Sequence, residues 1–280
     1  MQRKLVTLLA IAGSDCSGGA GIQADIRAAA RRNVYALTAL TAVTSQNSKG
    51  LSAFHPLPPE CLKSQLDAIS QEVVPDAVKI GMIGSSANAR VIADYLKTLP
   101  QDVPVVTDPV LATSAGGDLT GEKKELAEIL VSEICPLSDI VTPNIPEAAL
   151  FLNIDMSEIL KRPTESTARE LMGIMNCDAL ILKGGHLSDD FITDTLVLNE
   201  DVDGDMKHRH PRFECINLHG TGCIYSSLLA AELAKGNGIR ESFRKAGSLI
   251  SKIIADSREY ALGTSGYGPL NIFDYTTTYI

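Results

Sequence analysis

Leu5-Val6-Thr7-Leu8-Leu9-Ala10-Ile11-Ala12, then Gly13-Ser14-Asp15-Cys16-Ser17-Gly18-Gly19-Ala20-Gly21, then an Ala-rich run from Ile22 to Arg32: this opening decides the fold. A run at 5–12 with Thr7 as its only polar residue is what a strand buried on both faces shows. Four glycines then turn the chain, and the run after them has helical spacing. Strand, Gly-rich turn and helix make the first half of a βαβ unit.

The alternation continues along the chain. Strands are predicted at 36–45, 51–56, 76–80, 103–107, 139–142, 178–182, 191–198 and 206–216. A turn at 46–50 follows the first of these, and Gly116-Gly117 mark a loop. Helices are predicted at 58–72, 85–99, 121–135, 145–153, 164–176, 222–235 and 239–261. This is the pattern of an α/β fold, a mostly parallel central sheet flanked by helices on both faces. No Pro-, Gly- or Ser-rich linker divides it, so a single domain is expected over 1–262, with an irregular tail at 263–280.

Composition narrows the partners. The 280 residues carry a net charge of −9 and no long basic run, which argues against nucleic acid and anionic membrane surfaces. A phosphate compound remains possible, because such a site is local and Mg²⁺ can bridge like charges. The six cysteines form no C-x-x-C pair and read as reduced thiols of a cytoplasmic protein. The A-x-A match at Ala10-Ile11-Ala12 lies inside the apolar run, and the segment is shorter than the ~15–30 residues of a signal peptide. No apolar run reaches the ~18 residues of a membrane span. His208 and His210 would share a strand face, as surface residues or, with a third ligand, as a metal pair.

Two phosphate-binding patterns can be tested. Residues 19–24 loosely match a dinucleotide fingerprint, but no Asp or Glu lies between Asp25 and Glu60 to hold a ribose. There is no P-loop. The turn Leu218-His219-Gly220-Thr221-Gly222-Cys223 instead feeds an apolar helix. A helix N-terminus opened by glycines aims several N–H groups at one spot and favours an anion there. In open α/β sheets ligands sit beyond the carboxyl ends of the strands. Those ends here carry Asp15 and Asp25, Gln46, Met82, Asp108, Asn144 and Glu147, Lys183 and the Gly220–Cys223 turn. An anion cradle, a cation, carboxylates and an amide on one edge are what phosphoryl transfer needs.

At this point the motifs resemble a known family. Ala12-Gly13-Ser14-Asp15 with Ser17-Gly18-Gly19-Ala20-Gly21-Ile22-Gln23-Ala24-Asp25 is similar to the opening of the hydroxymethylpyrimidine/phosphomethylpyrimidine kinases. So are Thr44 with Gln46-Asn47, Lys79-Ile80-Gly81-Met82, Asp108-Pro109-Val110, Thr142-Pro143-Asn144 with Glu147-Ala148, Lys183-Gly184-Gly185-His186 and His219-Gly220-Thr221-Gly222-Cys223. They come in the family's order, from about residue 8 to 240. The resemblance implies a ribokinase-like fold with a small β flap over the acceptor. It implies transfer of the ATP γ-phosphate to the hydroxymethyl group of 4-amino-5-hydroxymethyl-2-methylpyrimidine, then to the monophosphate, for thiamine biosynthesis. A cytoplasmic homodimer using ATP and Mg²⁺ is the expected setting.

The resemblance also implies roles. Gln46 would read the aminopyrimidine edge, since an amide both donates and accepts; alternatively it stabilises a turn. Gly13 and Ala20 would meet the substrate through backbone, and Met82 and Val110 would wall the pocket, though Met82 fits a core as well. Asp25 would orient the hydroxymethyl group, or serve only as a helix first-turn acid. Asp108, Asn144 and Glu147 would form the Mg²⁺ and phosphate group; capping is the other role for Asn144 and that of a first-turn acid for Glu147, and both can hold at once. Lys183 and Thr221 would touch nucleotide phosphates. Gly220, Thr221, Gly222 and Cys223 would form the γ-phosphate hole. Cys223 stands where many related sugar kinases have an Asp base. Its thiol could take a proton, but repulsion from a triphosphate favours a donor or positioning role. Cys16, Arg27 and Ile224-Tyr225 depart from the usual family residues. Two other readings remain: a pyridoxal/pyridoxine kinase, and a silent ligand-binding protein, which retention of Asp25, Asp108, Glu147, Lys183 and the turn opposes.

Overall fold

A computed structural model describes residues 4–111, 123–185, 190–199, 204–215, 217–262 and 268–273. The Gly116-Gly117 loop, His186 and residues 263–267 and 274–280 of the tail lie outside the described residues.

The chain runs β1 (Thr7–Asp15), α1 (Gly21–Arg31), β2 (Tyr35–Asn47), β3 (Gly50–Pro56), α2 (Pro59–Ser70), β4 (Val78–Ile80), α3 (Ser86–Leu96) and β5 (Val105–Thr107). It continues through α4 (Lys123–Ile129), β6 (Ile140–Val141), α5 (Ile145–Leu152), α6 (Met156–Ile159), α7 (Thr164–Met175), β7 (Ala179–Leu182), β8 (Phe191–Leu198), β9 (Met206–Pro211), α8 (Thr221–Ala234) and α9 (Ile239–Ser257). The strands form one sheet in the order β3-β2-β1-β4-β5-β6-β7-β8-β9. Strands β2 to β7 of that order are parallel, while β3 at one edge and β8 and β9 at the other are antiparallel.

Alternation in the buried strands builds two layers. Leu8 of β1 faces a core shared by α1, α8 and α9, with Ala24, Ala28, Leu228, Phe243 and Ile250. Its neighbour Leu9 faces the other core, with Leu62 and Leu66 of α2 and Ile92 of α3. A third cluster packs α5 and α7 under β6 and β7. Helix α8 has no solvent-facing polar side along residues 224–233, which are all buried, so it is a core helix rather than a surface one.

The structure departs from the sequence reading in places that shape the site. Strand β1 runs on through Gly13 and Ser14 to Asp15, so the first third of the expected loop is strand. Strand β2 continues through Gln46 to Asn47, which the sequence assigned to a turn; it pairs with β3 as a hairpin that carries Gln46 beyond the sheet's main body. The helix expected at 121–135 is α4 followed by a π turn, Leu130–Ile134, and a 3₁₀ turn at Cys135–Leu137 where Pro136 cannot donate a helical hydrogen bond. The short α6 was not anticipated. Within the expected tail, Leu270 and Ile272 are buried in the α8–α9 core. Next to them, Gly268 accepts from the His219 N–H and Pro269 forms a bridge with His219. This segment therefore braces the Gly220–Cys223 turn.

The chain leaves β1 for β2 and β3, then returns through α2 to lay β4 on the other side of β1. The crevice beyond β1 and β4 is the topological switch point, where open α/β sheets bind ligands.

Candidate active site

A cavity of about 520 Å³ opens there and extends along the strand ends toward β9. Of the residues expected from the sequence, it brings together Gly13, Ala20, Gln46, Met82, Asp108, Val110, Asn144, Glu147, Lys183 and Gly220 to Cys223.

The turn is built by close approach. Gly220, the N-cap of α8, has φ +83, and a Cβ there would overlap the Gly19 carbonyl oxygen. A Cβ on Gly19 would overlap the His219 ring, and one on Gly21 (φ +56) would overlap the Gly13 carbonyl. The two glycine-rich loops thus pack backbone on backbone, which only glycine permits. Thr221 closes the turn, its hydroxyl donating to the Leu218 carbonyl at 2.7 Å. Gly222 and Cys223 occupy the first turn of α8, where backbone N–H groups have no intrahelical acceptor. A Cβ on Gly222 would sit 3.4 Å from Lys183 Nζ and 3.5 Å from Asp108 Oδ2, so the bare backbone there faces the charged groups.

Asp108, at the end of β5, is 1% exposed. Its Oδ1 accepts from Lys183 Nζ at 2.7 Å and from Thr142 at 3.2 Å, and its Oδ2 from Ser226 at 3.3 Å. Burial opposes its charge, but Lys183 and Lys79 hold its carboxyl below the usual range. Asn144 and Glu147 form a capping box at the start of α5: Asn144 Oδ1 accepts from the Glu147 N–H and Glu147 Oε2 from the Asn144 N–H, each at 2.8 Å. Asn144 and Glu147 of the expected Mg²⁺ and phosphate group thus also serve as the cap of α5. Burial pushes the Glu147 carboxyl up to about 7, with Asp108 adding to the rise and Lys183 opposing it. Two carboxylates against Lys183 form a hard-oxygen set short of positive charge, and this fits a divalent cation. Among the described residues no group of three or more His, Cys, Asp and Glu is placed to hold a metal ion from side chains alone, so the third ligand that a His208–His210 metal pair needs is not found there.

Asp25 requires a correction. It does not line the cavity but is fully buried beneath it, its Oδ1 accepting from Lys79 Nζ at 2.8 Å and Ser227 Oγ at 2.7 Å. Lys79, also 0% exposed, loses solvation, yet Asp25 raises its pKa above the ordinary value and it stays charged. Ser227 lies one helical turn after Cys223 on α8, so this pair sits behind the turn rather than in the pocket. Cys223 is half-buried. Burial pushes its thiol up to about 11, against the pull of Lys79, so the thiol is protonated at neutral pH and can donate rather than act as a ready base.

Asp15 does work the sequence reading left unassigned. Its Oδ1 accepts from the Ser17 N–H and hydroxyl, and its Oδ2 from the Ala20 N–H and from His219 Nε2, both at 2.8 Å. Burial raises this carboxyl, but His219, Ser17, Ala20 and the Gln46 amide together hold it well below the usual range. Asp15 thus ties β1, the first glycine loop, β2 and the second glycine turn. The Ala20 N–H is taken by this carboxylate, although Ala20 still lines the cavity. Met82 is half-buried at the cavity wall, and a Cβ on Gly13 would overlap its methyl group.

The β8–β9 end of the cavity was missed. It is lined by Ile192, Asp194, His210, Arg212, Ile250 and Tyr225. Gly184, next to Lys183, donates its N–H to Asp194 at 2.9 Å, which joins this end to the Asp108–Lys183 pair. The alternation of His208 and His210 was the available signal; they do share a face, with ring centroids 5.7 Å apart.

Comparison with known proteins follows the same lines. The family described as phosphomethylpyrimidine kinase matches residues 15–271. The chain is 37% identical over 275 residues to a hydroxymethylpyrimidine/phosphomethylpyrimidine kinase of Bacillus subtilis, covering 95% of this chain and 94% of that one. It is 35% identical over 271 residues to the thiamine biosynthetic bifunctional enzyme TH1 of Arabidopsis thaliana, covering 97% of this chain and 51% of the plant protein. A structure of the pyridoxal kinase from Staphylococcus aureus with AMP-PCP and pyridoxal superposes with a TM-score of 0.80 at 25% identity, covering 96% of this chain and 94% of that one.

Proposed function

The chain belongs to the phosphomethylpyrimidine kinase family, and we propose that it transfers the γ-phosphate of ATP to the hydroxymethyl group of 4-amino-5-hydroxymethyl-2-methylpyrimidine and then to the resulting monophosphate, for thiamine biosynthesis. It is a phosphotransferase with the ribokinase-like fold. One observation carries the specific reading: a single cavity runs from Gln46 on β2, past the α8 N-terminus, to Asp194 on β8. That layout suits an acceptor and a nucleotide laid end to end, with the transferred group at the turn.

At the acceptor end Gln46, leaning on Asp15, presents an amide to the aminopyrimidine edge, and Met82 and Val110 wall the ring. The hydroxymethyl oxygen attacks the γ-phosphorus in line as the bond from that phosphorus to the β–γ bridging oxygen breaks, and ADP leaves. Charge on the transferred group falls on the Gly222 and Cys223 N–H groups, the dipole of α8 and Lys183. Cys223, protonated, donates or positions; proton removal from the acceptor is a small part of a loose phosphoryl transfer. Asp108 and Glu147 would hold Mg²⁺, directly or through water, and the ion would supply positive charge to offset that of the donor phosphates.

The test is product analysis by phosphorus NMR with ATP, Mg²⁺ and hydroxymethylpyrimidine. Monophosphate followed by diphosphate is expected. Monophosphate alone removes the second transfer from the proposal, and no phosphorylated product refutes it. The likeness to the S. aureus pyridoxal kinase makes pyridoxal the rival acceptor to compare.

A further inference from the structure

We propose that Tyr225 sets nucleotide specificity, its hydroxyl hydrogen-bonding the base of the phosphoryl donor at the β8–β9 end of the cavity. This rests on the kinase reading above. Its first support is placement. Gln46 on β2 and Asp194 on β8 are six strand positions apart in the sheet order, roughly 29 Å at about 4.8 Å per strand. Asp108 and Lys183, at the ends of β5 and β7, lie between them with the Gly220–Cys223 turn. A donor whose phosphates sit on those groups, and whose acceptor is at β2, extends its remaining part toward β8 and β9.

The second support is an orphaned polar atom. Tyr225 lines the cavity yet is only 2% exposed, and its hydroxyl has no hydrogen-bond partner among the described residues. Buried hydroxyls are nearly always paired, so this one points to a ligand. Tyr225 needs no such group for packing, since a phenyl ring fills the same core with Leu228 and Ile250.

The third is the chemistry around it. Ile192, Ile250 and Ile254 supply apolar walls, and Asp194 and His210 supply polar atoms. Flat heteroaromatic rings with a hydrogen-bonding edge are bound by such mixtures. Burial and the Asp194 charge raise the phenol well above its ordinary pKa, so it keeps its proton and can both donate to a ring nitrogen and accept from an amino group.

The test compares wild type with Tyr225→Phe, which removes one oxygen. Calorimetric titration with ADP is expected to show a Kd about tenfold higher in the variant, with the effect in turnover falling on KM for ATP more than on kcat. The melting temperature of the ligand-free variant is expected to hold or rise, because an unpaired buried hydroxyl has gone. Repeating the titration with GDP and with 2′-deoxy-ADP separates base from ribose. The penalty should shrink with GDP and persist with 2′-deoxy-ADP. Equal ADP affinity in the two proteins, or a penalty that disappears with 2′-deoxy-ADP, overturns the proposal and leaves the kinase reading standing. A lower melting temperature for the ligand-free variant also overturns it, since the hydroxyl would then be paired within the protein. Wild type that does not bind ADP overturns the donor site itself.

Discussion

Lys79→Met should be among the most damaging substitutions in the chain, although Lys79 does not line the cavity. Both members of the Lys79–Asp25 pair are 0% exposed, with Nζ 2.8 Å from Oδ1. With charge centres about 4 Å apart and an effective dielectric near 20, their attraction is about 4 kcal/mol. Removing one partner of such a pair costs about 3–5 kcal/mol, because the other is left buried and uncompensated. For a domain near this size that is a fall in Tm of order 10 °C. The loss should depend on pH. Burial already raises the Asp25 carboxyl above 3.8 with Lys79 beside it, and without Lys79 it rises further. A folded pKa above the unfolded one contributes stability below the unfolded value and loses it as pH rises through the folded value. The deficit of Lys79→Met should therefore be smallest near pH 4–5 and grow toward pH 8. Asp25→Leu/Lys79→Met removes both charges, and should recover most of the loss, as apolar replacements of buried pairs do. The assay is urea denaturation of the three proteins between pH 5 and 8. A single-variant deficit under about 1 kcal/mol, or one that does not change with pH, would refute the reasoning.

Other outcomes follow from the site. Gly220→Ala should cost at least about 2 kcal/mol, because a Cβ at φ +83 overlaps the Gly19 carbonyl; thermal denaturation checks this, and wild-type Tm would contradict it. Cys223→Ala should lower turnover moderately, while Gly222→Val should lower it further, by about a hundredfold or more, by placing methyl groups between the turn and Lys183. Steady-state rates decide, and an active Gly222→Val would remove the anion hole from the account. With the Cys223 thiol near 11, its alkylation by iodoacetamide, followed on the Cys223 peptide by mass spectrometry, should climb through pH 7–9.5 without a plateau. A plateau near neutral pH would mean a thiolate instead. Glu147 rises from 4.5 to about 7 on folding, so it favours the fold below 4.5 and loses up to a few kcal/mol as pH passes 7; added Mg²⁺ should offset that loss in a pH series of melting temperatures.

What could be read from the sequence depended on separation along the chain. The βαβ alternation, the Gly220–Cys223 turn and the strand-end Asp108 and Lys183 are local patterns, and they stand where expected. The Asn144–Glu147 capping box was equally legible as an Asn followed three residues later by a Glu. Asp25 was not, because its partners Lys79 and Ser227 lie 54 and 202 residues away and only the packing of α1, β4 and α8 brings them together. The Asp15–His219 bond spans 204 residues. The β8–β9 end of the cavity escaped for a different reason. Its residues are ordinary strand and helix side chains, and only closure of α8 and α9 over them makes a pocket wall.

The central claim is the acceptor. ADP release measured with hydroxymethylpyrimidine, its monophosphate and pyridoxal as separate acceptors tests it most directly. The account predicts turnover with the first two and a kcat/KM for each above that for pyridoxal. ADP release with pyridoxal alone, or with none of the three, would contradict it.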